Sequence, residues 1–188
     1  MTWGRTVSPF RKTPLQFDDG VLVVGQRQLR KAWDGYKFTA SHRFEGVAAD
    51  DGVNVLLAVP GGAGRNVFFL AFEVSSYAQA HIDLYFDVEY SGGTELAVLN
   101  LRRSLQGVVN PVAEALHTVT FTPSTHHLPL VHQGGTKQFA AGGLSEVGGA
   151  AILGPGCNVV IAVVNKSTAA QDLSIRMVWW EEPFSQLP

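Results

Sequence analysis

The sequence predicts an all-β fold, either a sandwich or a barrel, and three observations predict it. Apolar residues recur with a period of two along about nine short segments. These segments are rich in β-branched and aromatic residues, which favour strands. Turn sequences such as Asp34-Gly35, Asp51-Gly52 and Gly154-Pro155-Gly156 separate the segments. Short strands divided in this way, with no convincing amphipathic helix among them, are typical of sandwiches and barrels.

Two of the segments predict different degrees of burial. Residues 67–74 are apolar on both faces, so we expect a strand that is covered on both sides. Simple alternation divides its side chains into Val67, Phe69, Ala71 and Glu73 on one face, and Phe68, Leu70, Phe72 and Val74 on the other. Residues 81–89 predict a half-buried strand with Ile82, Leu84, Phe86 and Val88 inside. Further strands are predicted over residues 21–24, 36–44, 53–59, 95–101, 116–121, 158–165 and 173–180.

The remaining segments are predicted to be irregular. Residues 102–115 and 123–151 show little periodicity, and long loops of this kind are usually functional or disordered. Residues 26–33 fit one helical turn or an extended arm equally well. We therefore expect an N-terminal arm over residues 1–32, one β domain over residues 33–182 and a tail over residues 183–188.

Composition and charge limit the kinds of partner that this chain can bind. The chain has 188 residues, 46% of them apolar, a net charge of −2 and a single cysteine, so a disulfide scaffold is excluded. The low net charge and the absence of a long apolar run predict neither a nucleic-acid nor a membrane partner. Residues 1–43 nevertheless carry a net charge of +5 and residues 44–188 carry −7. This asymmetry suggests a partner that the leading segment contacts, although an ordinary solvated face would have the same charges.

No catalytic, metal or cofactor site is predicted. His126, His127 and His132 lie close together, and His81 and His117 could approach them, but adjacent histidines on a strand face opposite sides. A metal-dependent, cupin-like enzyme, which would need histidines at alternate positions, therefore stays only an alternative. Four further features are interpreted as structural. We expect Cys157 to be a packed thiol and Gly61-Gly62-Ala63-Gly64 to be a hairpin turn. We expect the carboxylates of Glu181-Glu182 to point apart and Asn165-Lys166-Ser167 to form a turn.

The aromatic residues favour self-assembly. Trp179 and Trp180 are adjacent on the last predicted strand, so they face opposite sides of it. Together with Phe68 and Phe72 they give more apolar β surface than we expect one copy to hide, which predicts a homo-oligomer with these four residues as contact candidates. The alternative is that long loops of the same chain cover both faces.

The C-terminal third resembles a segment of tailed-phage capsid decoration proteins. In that family an apolar pair precedes a Pro-Gly turn, a strand ends in Asn, and a last strand closes with an aromatic pair and acids. Residues 151–167 and 173–182 match this pattern. Upstream, residues 55–60, Asn100-Leu101-Arg102-Arg103-Ser104, Leu116-His117-Thr118 and Gly134-Gly135 are similar to other parts of it. The resemblance covers residues 33–182, and residues 1–30 have no counterpart in it.

The resemblance implies a jelly-roll sandwich, to which the sequence itself adds an extended N-terminal arm and long loops. It also implies a non-enzymatic homotrimer that is made in the host cytoplasm. The trimer binds the major capsid protein on the outside of an icosahedral head, at three-fold and quasi-three-fold positions. The basic residues of the leading segment are then candidates for capsid contact: Arg5, Arg11, Lys12, Arg27, Arg30 and Lys31. The alternative is a receptor- or glycan-binding knob of a phage tail fibre.

Overall fold

A computed structural model describes residues 16–18, 21–23, 34–102, 109–132, 139–141 and 151–183. Every regular element in these ranges is a β-strand, so the all-β prediction is confirmed. The strands are β1 (Gln16–Asp18), β2 (Val21–Val23), β3 (Lys37–Val47), β4 (Gly52–Ala58), β5 (Arg65–Ser76), β6 (Ala80–Phe86), β7 (Glu89–Ser91), β8 (Thr94–Glu95), β9 (Leu99–Asn100), β10 (Glu114–His117), β11 (Thr120–Thr122), β12 (His127–His132), β13 (Phe139–Ala141), β14 (Ala151–Leu153), β15 (Asn158–Asn165) and β16 (Gln171–Pro183).

Two sheets pack face to face as a sandwich. The first sheet has the strand order β12-β6-β15-β4-β10-β8, and the second has the order β13-β5-β16-β3-β9, with β14 also paired to β5. The core lies between them, where Val55, Leu84 and Ile161 of the first sheet belong to one buried cluster with Phe69 and Trp179 of the second. Two further strand pairs, β1 with β2 and β7 with β11, lie outside both ladders.

A β-bulge in β5 overturns the simple alternation expected for that strand. The register between β16 and β5 shifts between Val178 and Trp179, which pair with Ala71 and Phe69 respectively, so Leu70 is an extra residue. An extra residue reverses the faces of everything beyond it. Phe72 therefore shares the core with Phe69 and does not lie with Phe68 on the outer face.

Three other predicted strands end early or divide. The strand over residues 81–89 stops at Phe86 because Asp87 adopts a φ of 52°, and Val88 then joins a different cluster from Leu84. The strand over residues 116–121 breaks at Thr118, which has a φ of 56°. Residues 95–101 cross between the sheets, since β8 pairs in the first sheet and β9 in the second. A left-handed φ cannot continue a strand, so side-chain alternation alone misses the first two breaks.

The long stretch 123–151, predicted to be irregular, contains two strands. β12 pairs with β6 along six residues at the edge of the first sheet, and β13 pairs with the end of β5. Pro129 lies within β12, and proline is tolerated in sheets at edge positions where its missing N–H is not needed. The predicted helical turn or arm over residues 26–33 lies outside the described residues.

Asn165 fastens the turn between the two central strands. Its side chain is completely buried, and its Nδ2 donates to the carbonyl oxygens of Val47, Ala48 and Ala169 at 2.9, 3.1 and 2.9 Å. Its Oδ1 accepts bonds from the Ser167 N–H and the Gln171 amide. The Asn165-Lys166-Ser167 sequence is therefore a structural turn whose amide nitrogen is inaccessible.

Candidate interaction surfaces

The outer face of the second sheet has an apolar part formed by Phe68, Leu70 and Trp180. The rings of Phe68 and Trp180 lie 5.3 Å apart, and both side chains are only 7% exposed. As predicted, alternation along β16 turns Trp180 outward and Trp179 inward. The outward aromatic pair is thus buried already in a single chain, which leaves less apolar surface on this face than the sequence suggests.

Two of the four residues predicted for subunit contact lie in the core. Trp179 is completely buried and stacks on Phe38 at 5.9 Å, and Phe72 stacks on Phe69 at 6.4 Å. Both belong to the cluster between the sheets. Because a residue in the core cannot touch another subunit, Phe72 and Trp179 are removed from the candidate surface. The bulge in β5 explains the error for Phe72.

The polar part of the same outer face is lined by paired charges. Arg43 bonds Asp172 at 2.6 Å, and Arg176 bonds Glu73 at 3.2 Å. The Gly46 N–H and the Arg43 guanidinium hold the pKa of Asp172 below its ordinary value. Exposed pairs of this kind stabilise a fold little, but they mark this part of the face as solvated.

Three large exposed apolar side chains lie on edge strands. Ile152 is 61% exposed on β14, where it pairs with Phe68 at one edge of the second sheet. Leu99 is 52% exposed on β9 at the opposite edge of that sheet, and Leu128 is 49% exposed on β12 at an edge of the first. In the described part of the chain, the apolar surface available for contact therefore includes sheet edges as well as faces.

A buried carboxylate fixes the loop that follows residue 108. Glu181 is completely buried on β16 and accepts bonds from the Val112 N–H at 2.9 Å and the Ala113 N–H at 3.1 Å. It also accepts a bond from Arg65 at 3.0 Å, and Arg65 in turn donates to the Asn110 carbonyl. The sequence analysis missed this role, although an acid that directly follows an apolar strand was its signal. Residues 111–115 then line an open groove of about 500 Å³ together with residues 95–98.

The outer face of the first sheet carries an aromatic patch, which we define as Tyr85, Phe121 and His127. The Tyr85 ring lies 5.4 Å from each of the other two rings. Burial, and then the charge of Asp83, raises the pKa of Tyr85. His127 is exposed and the other two are half-buried, so this patch offers ring faces to a partner.

Two of the histidines considered as metal ligands lie far apart. His127 lies on β12 and His117 on β10, and four strand spacings separate these strands, about 19 Å. No group of three or more His, Cys, Asp or Glu suited to a metal ion occurs in the described residues. Cys157 is packed against the core, and burial raises its pKa, which disfavours the reactive thiolate.

The basic residues predicted for capsid contact, Arg5, Arg11, Lys12, Arg27, Arg30 and Lys31, lie outside the described residues. Within the described ranges, no helix is long and apolar enough to cross a membrane. Comparison with protein-family models, with curated proteins and with solved structures returned no match to this chain.

Proposed function

We propose that this chain is a structural virion protein, a homotrimeric decoration protein that binds the outside of an icosahedral phage head and stabilises it. The observation that carries the proposal is where the segments with the family pattern lie. β15 is a central strand of the first sheet, between β6 and β4, and β16 is a central strand of the second, between β5 and β3. The resemblance therefore rests on the strands that organise the whole sandwich.

Each element of that pattern has a defined place in the fold. Leu153 points into the core while Ile152 is exposed, and the Pro-Gly turn then leads into β15. Asn165 fastens the polar turn, the tryptophan pair divides between core and outer face, and Glu181 holds the loop over residues 109–113. These residues shape a rigid sandwich with anchored loops, which is what a clamp between neighbouring subunits needs.

The strand order supports a jelly roll as the finer description of the sandwich. In a jelly roll, eight successive strands pair in the orders 1-8-3-6 and 2-7-4-5. The eight strands are taken in chain order as β3, β4, β5, β6, β12, β13, β15 and β16. The second sheet then contains the order β3-β16-β5-β13 and the first sheet contains β4-β15-β6-β12. Both orders match, with β8, β9, β10 and β14 as additions.

Exposed apolar residues at the edges of the second sheet are candidates for the contact between subunits of the proposed trimer. A cyclic trimer needs two different patches on each copy, because its contacts are heterologous. Ile152 and Leu99 lie on two different edges of the second sheet, and we take them as the two patches. Many copies on a fixed lattice then reinforce each other's weak contacts through effective concentration.

Sedimentation with undecorated phage heads tests the proposed binding. We expect the full-length chain to pellet with expanded heads and to raise the temperature at which they rupture. Replacing Arg5, Arg11 and Lys12 together by Gln should weaken pelleting, because these residues carry half of the candidate basic contacts. Replacing the exposed Lys166 by Gln is the matched control. Failure of the unmodified chain to bind any head would count against the proposal.

A second candidate function, a receptor- or glycan-binding knob, is favoured by the aromatic patch. Half-exposed rings beside a carboxylate, here Asp83, suit a sugar, which offers one apolar face and a rim of hydroxyls. A glycan array probed with the chain and with Phe121→Ser separates the two functions. Binding that the substitution abolishes would support the knob, and no binding on the array would count against it.

A further inference from the structure

Two histidines join the sheets of the sandwich at one edge. His42 lies on β3 of the second sheet and His117 on β10 of the first, and their rings stack 3.8 Å apart with planes 14° from parallel. Phe44 meets both rings edge-on, at 4.6 Å from His42 and 6.0 Å from His117. No backbone ladder connects β3 with β10, so these ring contacts tie the two strands together.

The cross-strand neighbours of the pair are uncharged. Ile175 of β16 pairs with His42, and Val55 of β4 and Thr94 of β8 pair with His117. Next along the chain, Thr118 places its hydroxyl 3.0 Å from His117 Nδ1. Neither imidazole therefore has a carboxylate as its cross-strand neighbour, and a carboxylate there would favour the protonated ring.

The charged residues of the same strands belong to the opposite faces or to other pairs. Alternation along β10 sends Glu114 to the face opposite His117, and Glu95 of β8 pairs with Leu116 on that same opposite face. On β3, Arg43 binds Asp172 and lies near Glu45, and on β16 Arg176 binds Glu73. Burial, and then the charge of His42, lowers the pKa of His117.

We propose that His42 and His117 form an acid-sensitive latch, which closes this edge of the sandwich when both rings are neutral and opens it when they take up protons. Two imidazolium rings at stacking distance repel each other, and both lose the ring contact with Phe44 if they separate. Opening would expose the outer edge of β3 to solvent, because β9 pairs with only two residues of β3, Phe38 and Thr39. The latch is independent of the proposed binding to phage heads.

The direction of the pH dependence follows from the neutral preference of the folded state. The unfolded chain takes up a proton on His117 near the ordinary value of 6.5, whereas the folded chain does so only at lower pH. The latch is therefore fully present above about pH 6.5 and is lost as the pH falls below that value. Each unit by which the folded pKa lies lower corresponds to about a tenfold change in the opening equilibrium.

Two measurements test the latch. In the unmodified chain, NMR titration of the histidine ring protons should give His117 a pKa below that of free histidine. Hydrogen exchange, corrected for intrinsic rates, should accelerate in β3 and β10 between about pH 7.5 and 5.5, by at most about tenfold, with β15 little changed. His42→Phe keeps a stacked ring that takes up no proton and should reduce the acceleration, while the part due to the burial of His117 remains. His81→Phe, on β6, is the matched control and should behave like the unmodified chain.

Both measurements can contradict the proposed latch. A pKa of His117 at or above that of free histidine would overturn the latch, and so would an unchanged acceleration in His42→Phe. If His42→Phe does not fold, the ring titration and the exchange of the unmodified chain still decide, because both need no substitution.

Discussion

The Glu181 carboxylate lies 3.0 Å from the Arg65 guanidinium, and both bind the backbone of the segment 110–113. Glu181 is completely buried, whereas the Arg65 side chain is 22% exposed and rests over the ring of Tyr36 at 5.3 Å. One ion pair thus connects β5, β16 and a loop that has no ladder of its own. This arrangement makes residues 109–113 part of the rigid sandwich.

Removal of the buried carboxylate should be strongly destabilising. Glu181→Ala removes the ionic partner of Arg65 and the acceptor of two backbone N–H groups and of the Trp179 indole N–H, so we expect a loss of about 3–5 kcal/mol in the free energy of unfolding. Urea denaturation measures this loss. Glu73→Ala removes an acid from an exposed pair with Arg176 and should cost far less. Equal losses in the two variants would show that Glu181 does not anchor the loop.

Asn165 should tolerate no substitution that removes its amide. Asn165→Ala strips the hydrogen bonds from three carbonyl oxygens and from Gln171, and we expect about 3 kcal/mol of destabilisation. Thermal unfolding followed by circular dichroism checks the effect. Lys166→Gln, at the neighbouring exposed position, is the control and should unfold at nearly the unmodified temperature. Comparable shifts in both variants would contradict the role of Asn165 as the fastening of this turn.

The free energy of unfolding at acidic pH should depend on Asp172. The Gly46 N–H and Arg43 lower its pKa, so the folded chain favours the ionised form, and this stabilisation is present above the ordinary value of 3.8. It is lost as the pH falls through the lower pKa of the folded chain. Asp172→Asn should therefore flatten the pH dependence of the free energy of unfolding below about pH 4. A slope identical to that of the unmodified chain would refute the assignment.

The proposed trimer should depend on the two edges of the second sheet. Ile152→Asp and Leu99→Asp each place a charge where an apolar contact is expected, so either should shift the mass in light scattering from three chains toward one. Leu128→Asp changes an equally exposed leucine on the first sheet and is the matched control. Masses that respond to Leu128→Asp and not to the other two would place the contact on the first sheet.

The central strands are predictable from the sequence because their burial leaves a clear pattern. Residues 158–165 form β15 with the predicted bounds, and the opposite orientations of Trp179 and Trp180 follow from alternation in β16. Burial on both faces requires an unbroken apolar run, and such a run is visible without any knowledge of partners.

The breaks and the candidate sites depend on contacts between distant parts of the chain. The bulge at Leu70 cannot be recognised from the sequence, since leucine suits a regular strand equally well. The bulge moves Phe72 from the predicted outer face to the core. β12 has a proline and polar residues, and only its pairing with β6 makes it a strand. His42 and His117 are 75 positions apart in the chain, so their stacking depends on how the two sheets meet.

Cryo-electron microscopy of undecorated phage heads mixed with the purified full-length chain tests the proposed function most directly. The proposal predicts added density for three copies of a β-sandwich on the outer surface, centred on the three-fold and quasi-three-fold axes. Heads that stay bare at saturating protein concentration, or density bound elsewhere as single copies, would contradict it.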